Sequence, residues 1–297
     1  MSVEPEGKKR VTPTNLIQAL LVVILIQAAA LLITYQNLPT YQEEGPPTLI
    51  TGGSGAAGSA VNVVFYVGFA FAATLFLLWL LRRKMISSFK VVIFASLAIS
   101  SFLLTFLTSD DFFFQYLEPV AGSTGELVAD LAVSLAVVAL IGYTIFVKNH
   151  PLLSTIVIGF VGAEVGSFFA TLPLPTALLL PIAFAIYDIY AVFRGPLKSL
   201  IGTGEKVALV GMSIRAGEFT LGLGDVVFYT MLPSMPLAQL VARSSITPAL
   251  PWALATLAVM DVGVVSTLFL LSKRRLLPGL PIPMVLGVLV LVLYFFF

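Results

Sequence analysis

Long apolar runs alternate along the chain with short joints that are polar or rich in proline and glycine. Because a helix needs about 20 mostly apolar residues to cross a bilayer, each run predicts one membrane-spanning helix. Nine runs qualify, at about 14–36, 60–81, 89–108, 126–147, 152–171, 174–193, 218–239, 250–272 and 279–297. The pattern therefore predicts an all-α polytopic membrane protein with nine transmembrane helices.

No internal repeat divides these runs, so we interpret residues 1–297 as a single transmembrane domain. Residues 1–13 form its N-terminal tail, 14–171 hold helices one to five, and 174–297 hold helices six to nine. The first run is longer than the ~7–15-residue core of a signal peptide, and we interpret it as a retained span. The longest joint, 37–59, contains Gly-Gly-Ser-Gly and is predicted to be a flexible loop.

Charge predicts the orientation of these helices. If successive runs cross in alternate directions, fifteen of the sixteen lysines and arginines fall on one side of the membrane. The other side receives Arg243, Glu43, Glu44, Asp110, Asp111 and Glu118. The positive-inside rule places the cation-rich side in the cytoplasm, so the N-terminus is predicted to be cytoplasmic and the C-terminus outside.

Composition excludes several kinds of chemistry. The chain is 59% hydrophobic and 10% charged, against roughly 25% charged residues in a soluble domain. It has no cysteine and one histidine, His150, which excludes disulfides, thiolate nucleophiles and histidine-rich metal sites. We predict no metal, no cofactor and no nucleic-acid partner.

Five acidic residues fall inside the predicted spans, where ionisable groups are costly and are candidates for function. They are Asp130, Glu164, Asp188, Asp225 and Asp261. Each one alone is explained equally well by a polar pocket or a hydrogen bond to a neighbour. Asp188 and Asp225 differ because both are predicted to lie roughly 8–10 Å below the same cytoplasmic surface, at 1.5 Å per helical residue. Neighbouring helices of opposite direction would bring them together.

Two carboxylates that share a site cannot both ionise easily, so one keeps a proton. One then acts as a general base on water while the other donates a proton to a carbonyl oxygen. This pair would hydrolyse an amide without a metal or a covalent intermediate.

Glycine and proline surround these two acids. Gly222 and Gly224 precede Asp225 and remove side-chain bulk, so another backbone or a substrate can approach closely. Pro278-Gly279-Leu280-Pro281-Ile282-Pro283 is predicted at the cytoplasmic start of the last span, where three prolines prevent a regular helix interior. Extended backbone there would pair with an extended peptide. The extended-looking segment 206–214 is a second hypothetical strand beside the site.

Three motifs resemble the presenilins, a family of intramembrane aspartyl proteases. Tyr187-Asp188 resembles the Tyr-Asp motif of the sixth presenilin helix, and Leu221–Asp225 is similar to the Gly-x-Gly-Asp motif of the seventh. Pro278–Leu280 resembles the Pro-Ala-Leu motif of the ninth, with glycine at 279 in place of alanine. Motif order, helix count and predicted orientation agree with presenilins, whereas the related signal peptide peptidases are inverted.

The resemblance implies an endopeptidase that cuts single-span membrane proteins within or near their transmembrane helices, with Asp188 and Asp225 as the catalytic pair. The other motif positions it implies are Tyr187, Gly222, Leu223, Gly224, Pro278, Gly279 and Leu280. The link at 194–217 is much shorter than in presenilins, which cut it to mature. This suggests a single-chain microbial, archaeal relative in the plasma membrane that needs lipid but no obligatory subunits, with homo-oligomers left open.

Other classes fit the sequence less well. A rhomboid-type serine protease needs a Ser–His pair, but Ser54 and His150 are predicted on opposite sides of the membrane. A metalloprotease of the His-Glu-x-x-His type needs two histidines. Prepilin peptidases share the Gly-x-Gly-Asp motif but lack its two companions. A proton-coupled transporter or channel is the main alternative, because such proteins also use buried acids and broken helices.

Overall fold

The computed structural model describes residues 13–38, 56–147, 150–193, 213–216, 219–239, 249–273 and 277–296. Within these residues, the chain forms nine α-helices and one pair of strands. The helices are α1 Pro13–Gln36, α2 Ala56–Arg82, α3 Ile86–Tyr116, α4 Glu118–Gly142, α5 Pro151–Ala170, α6 Leu174–Phe193, α7 Leu223–Ala238, α8 Ala249–Lys273 and α9 Pro281–Phe296. The strands are β1 Ser213–Ala216 and β2 Phe219–Gly222.

The helices confirm an all-α integral membrane protein. Among the described residues, seven helices are long and apolar enough to cross a bilayer, namely α1 to α6 and α8. Helices α7 and α9 have 16 residues each, about 24 Å at 1.5 Å per residue, against a hydrocarbon core of about 30 Å. The count of nine spans and the sides of the two termini therefore stay predictions.

Several predicted segments fall outside the described residues. These are nearly all of the tail 1–13, most of the joint 37–59, most of the link 194–217 and the first part of the hypothetical strand 206–214. The described part of the link is residues 213–216, which form β1, and the last two residues of the hypothetical strand, Ser213 and Ile214, are among them.

The predicted helix at 218–239 is wrong at its beginning. Phe219–Gly222 is strand β2, paired antiparallel with β1 so that Ser213 faces Gly222 and Ala216 faces Phe219. Glycine is a poor helix former, and the helix starts only at Leu223. Asp225 therefore lies in the first turn of α7 rather than six or seven residues into a helix.

The last helix also starts later than the predicted 279. Residues 277–280 are non-helical, and α9 begins at Pro281. The residue before a proline avoids the helical region, whereas proline itself suits the first helical position. The three prolines thus end the irregular segment at Leu280.

Helices α3 and α4 are longer than predicted toward the joint between them. They end and begin at Tyr116 and Glu118, against predicted limits of 108 and 126. The extension of α4 is kinked at Gly122, whose φ of +70° lies in the left-handed region that favours glycine. A π-helical turn, Tyr143–Val147, closes the other end of α4.

Helix α7 is the centre of the fold. Every residue from Val226 to Ala238 is buried, and α7 packs against α1, α5, α8 and α9. Helix α5 approaches most closely, because Gly162 and Gly166 face α7 in a small-xxx-small pattern. Thr230 donates to the Gly162 carbonyl at 3.1 Å across this contact.

The strand pair is fixed to α5. The Thr155 hydroxyl donates to the Arg215 carbonyl at 3.1 Å and lies 3.2 Å from the Arg215 amide that donates to it. Since β2 runs directly into α7, this anchor also fixes where α7 begins.

Candidate active site

Asp225 lies at the junction of β2 and α7. Its Oδ2 accepts a hydrogen bond from the Gly222 amide at 3.3 Å. An acid at the third helical position that reaches back to the residue before the helix is half of a capping box, and it suits the positive end of the helix dipole. The local sequence thus holds the carboxylate at the start of α7.

Asp188 lies in the last turns of α6, and its contact is with the irregular segment before α9. Its Oδ2 accepts a hydrogen bond from the Leu280 amide at 3.0 Å. Helix α9 packs against both α6 and α7. The segment 277–280 is therefore carried to the place where the two acid-bearing helices meet.

Gly279 lies directly against Asp225. A Cβ atom at Gly279 would stand 3.0 Å from Asp225 Oδ2 and 3.2 Å from its Cγ and Oδ1. The next residue, Leu280, holds Asp188, and the two carboxylates are close enough to interact electrostatically. One short backbone segment thus touches both acids.

Tyr229 is a part of this site to which the sequence interpretation gave no role. Its hydroxyl donates to the Gly279 carbonyl at 3.0 Å, and the side chain is 2% exposed. It lies four residues after Asp225 and hence on the same face of α7. This spacing of four residues is the feature of the sequence from which a place for Tyr229 in the site could have been predicted. From α1, Gln27 donates to the Tyr229 carbonyl at 3.3 Å.

The other predicted motif residues take different positions. The hydroxyl of Tyr187 donates to Thr74 of α2 at 3.1 Å, away from the segment 277–280. Leu223 packs toward Gly162 of α5. Gly224 is exposed, and a Cβ atom there would meet nothing within 4 Å. The structure therefore groups Asp188, Asp225 and the Pro278–Leu280 segment, and leaves open space at Gly224.

The remaining intramembrane acids lie elsewhere. Glu164 of α5 accepts hydrogen bonds from Ser101 at 3.2 Å and Thr105 at 2.7 Å, both on α3. Asp261 is a buried residue of α8, and Asp130 is a buried residue of α4. Asp188 and Asp225 both contact the segment 277–280, and their choice as the catalytic pair stays a prediction.

Comparison with known proteins identifies the fold. Two solved structures of presenilin family intramembrane aspartate proteases, in space groups C222 and P2, match the chain with TM-scores of 0.61 and 0.59. Each is 23% identical to it; the matches cover 92% and 93% of this chain and 97% and 95% of theirs. No protein-family model and no curated protein sequence matches the chain. The protein is a polytopic membrane protein with a presenilin-type fold.

Proposed function

We propose that this protein is a presenilin-type intramembrane aspartyl endopeptidase with Asp188 and Asp225 as its catalytic pair. The observation that supports this most directly is the position of the two carboxylates. They come from different helices and lie against the same non-helical backbone segment. Asp188 accepts a hydrogen bond from the Leu280 amide, and Asp225 lies where a Cβ atom on Gly279 would stand 3.0 Å from its Oδ2. Two acids beside an open strand-like segment suit peptide hydrolysis.

The proposed reaction needs only the pair and one water. The ionised carboxylate removes a proton from water, and the oxygen attacks the scissile carbonyl carbon. The protonated carboxyl gives its proton to the carbonyl oxygen, forming a tetrahedral diol. The C–N bond then breaks as the protonated carboxyl gives its proton to the amine nitrogen and the ionised carboxylate removes a proton from a diol hydroxyl, which becomes the new carbonyl oxygen. The pair is thus left again with one shared proton.

The substrate is a single-span membrane protein. A helix in lipid hides its peptide bonds in internal hydrogen bonds, so it must unwind before water reaches them. Strands β1 and β2 form a two-stranded sheet, and the described residues add no third strand to its edges. An unwound substrate would pair there by strand addition, with its carbonyl at the acids. Gly222, Leu223 and Gly224 connect this sheet to Asp225.

The same proposal covers the setting of the enzyme. Its 297 residues form one protease domain with a cytoplasmic N-terminus, in the plasma membrane of a microbe. It works as a single chain in lipid, without obligatory subunits or a cofactor. Activity as a single chain is supported by the contacts of the two acids, because Gly222 holds Asp225 and Leu280 holds Asp188.

Cleavage of a defined helix tests the proposal. The purified protein is reconstituted with a tagged single-span helix, and fragments are identified by mass spectrometry. Asp188→Asn, Asp225→Asn and the corresponding alanine variants abolish cleavage while the proteins stay folded. Glu164→Gln, which changes a buried acid on another helix interface, keeps it. Fragments that persist in either aspartate variant would refute the assignment of the pair.

A proton-coupled transporter is the second candidate, favoured by the buried acids Asp130, Glu164 and Asp261 outside the site. It predicts proton-dependent solute uptake into vesicles and no peptide product. Uptake that survives Asp188→Asn would favour this candidate over proteolysis.

A further inference from the structure

An acidic cluster lies where α3 and α4 pack together, far along the chain from the proposed active site. It consists of Asp110 on α3 and of Glu126 and Asp130 on α4. One carboxylate oxygen from each residue lies within 4.8 Å of the other two. Glu126 and Asp130 are four residues apart and share one face of α4, and that face meets Asp110.

Asp130 is buried without a partner. It is 0% exposed, and neither of its carboxylate oxygens has a hydrogen-bond partner among the described residues. Two polar side chains lie beside it, Asp110 and Ser109, and the Ser109 hydroxyl donates to the Phe106 carbonyl at 3.3 Å. One turn farther along α4, the Ser134 hydroxyl is also 0% exposed and equally lacks a partner among the described residues. Burying a charge with no partner is strongly unfavourable.

The two helices supply no countercharge. The single cationic side chain in α3 and α4 is Lys90, in the first turns of α3. It is twenty residues before Asp110, about 30 Å away along the helix. Arg82, the last residue of α2, and Arg83, which follows it, lie at that same distant end. Three carboxylates thus converge where the hairpin offers no positive group.

From this geometry we propose that Asp110, Glu126 and Asp130 bind a calcium ion. Carboxylate oxygens are the ligands of hard cations. At calcium–oxygen distances of about 2.3–2.6 Å, three ligands spread evenly around the ion lie about 4.0–4.5 Å apart, which is within the 4.8 Å limit of the cluster. Magnesium keeps several of its waters and is usually bound through one or two carboxylates, so a cluster of three carboxylates favours calcium. Asp110 is exposed and gives the ion a way in.

Calcium would hold α3 and α4 together beyond a weak point. The kink at Gly122 interrupts α4 between Glu118 and Glu126. Helical hydrogen bonds therefore do not run continuously from the joint into the body of α4. An ion shared by Asp110 and the two α4 acids fixes α4 to α3 just past this kink.

Thermal unfolding of the full-length protein in detergent tests the site. After chelation, calcium added to about 10 mM exceeds the dissociation constants of extracellular calcium modules, ~10⁻⁴–10⁻³ M. We expect one saturable calcium per chain in a radioactive calcium binding assay. We also expect the Tm to rise by about 3 °C or more, with a smaller rise in magnesium. Wild-type protein without saturable calcium binding would overturn the proposal.

The Tm of the Asp130→Asn variant, measured in chelator and in calcium, distinguishes calcium binding from a purely structural role of Asp130. In chelator it is at least as stable as the wild type, because it removes repulsion among three carboxylates; in calcium it loses the Tm rise and the bound ion. Glu126→Gln is the second variant and gives the same loss. Glu164→Gln, a buried acid outside the cluster, keeps both. Calcium binding that survives Asp130→Asn and Glu126→Gln, or a Tm rise that all three variants share, would refute the site.

Discussion

At the scale of single residues, Tyr229 connects the two halves of the proposed active site. Its backbone belongs to the helix that starts with Asp225, while its hydroxyl holds the Gly279 carbonyl of the segment that touches both acids. The tyrosine therefore sets the position of Gly279 relative to Asp225. It acts through the segment and is a positioning residue.

Tyr229→Phe removes this one hydrogen bond and keeps the ring. A hydrogen bond is worth about 0.5–1.5 kcal/mol net, so we expect kcat to fall about 2- to 10-fold with little change in KM. Tyr66→Phe is the control, since Tyr66 packs its ring on Phe169 away from the acids. Steady-state cleavage of the tagged helix gives both constants. Equal effects of the two changes would show that Tyr229 has only a packing role.

Gly224→Ala separates stability from activity. A Cβ atom at this position meets nothing within 4 Å, and alanine favours a helix over glycine by roughly 0.5–1 kcal/mol. We expect unchanged or slightly higher Tm, yet slower cleavage, because the methyl group enters the space beside Asp225 where the substrate backbone would lie. Thermal unfolding and cleavage are measured on the same preparation. Unchanged kcat/KM would mean that the substrate does not approach at Gly224.

Sequence could predict part of this site and no more. The sequence predicted Asp188 near the end of one helix and Asp225 near the start of the next, although Asp225 lies in the first turn of α7 and not six or seven residues into it. The three prolines predicted the irregular segment at 278–280. The direction of a side chain around a helix was not accessible in the same way. Tyr187 adjoins Asp188 yet turns its hydroxyl to Thr74 on α2, because this depends on which helices flank α6.

At the scale of elements, hydropathy located each of the nine α-helices in the described part of the chain but not all of their limits. The error at α7 has a physical cause, since Phe219–Gly222 is apolar enough to read as membrane helix while it pairs as a strand with β1. Apolar runs of helix and buried strand look alike in a sequence. The extensions of α3 and α4 contain Asp110, Asp111 and Glu118, and such charges ended the predicted spans too early.

The contact between α5 and α7 leaves no room for a side chain at Gly166. A Cβ atom at Gly166 would stand 2.7 Å from the Val227 carbonyl oxygen and would overlap the Thr230 hydroxyl. Gly166→Ala must therefore push α7 away from α5. Overpacking of this kind costs about 1–3 kcal/mol, so we expect a lower Tm and a loss of cleavage, because α7 begins with Asp225.

Gly68→Ala is the matched control for that change. Gly68 lies within α2, and a Cβ atom there meets nothing within 4 Å. The same substitution at this place should leave the Tm unchanged or raise it slightly. Thermal unfolding of the two variants side by side measures the difference. If Gly166→Ala were no less stable than Gly68→Ala, tight packing of α5 on α7 would not hold the site in place.

At the scale of the whole molecule, the charges define two ends. Arg82 ends α2, and Arg83 and Lys84 follow it before α3, whereas the acidic cluster of Asp110, Glu126 and Asp130 lies toward the opposite end of α3. By the positive-inside rule, the first end faces the cytoplasm. The proposed catalytic pair would then receive its water from the cytoplasmic side, and the calcium site would face outward.

Labelling of single cysteines decides this orientation, and the absence of cysteine from the chain makes the experiment clean. Ser87→Cys places an exposed thiol at the start of α3, and Ser123→Cys places one near the start of α4. In right-side-out vesicles, a membrane-impermeant maleimide should label only the Ser123→Cys protein, and permeabilisation should be needed for Ser87→Cys. The cysteine-free parent gives the background. The reverse labelling pattern would mean that the orientation in the membrane is the opposite of the predicted one. Water would then reach Asp188 and Asp225 from outside the cell, and the acidic cluster would face the cytoplasm, which is poor in calcium.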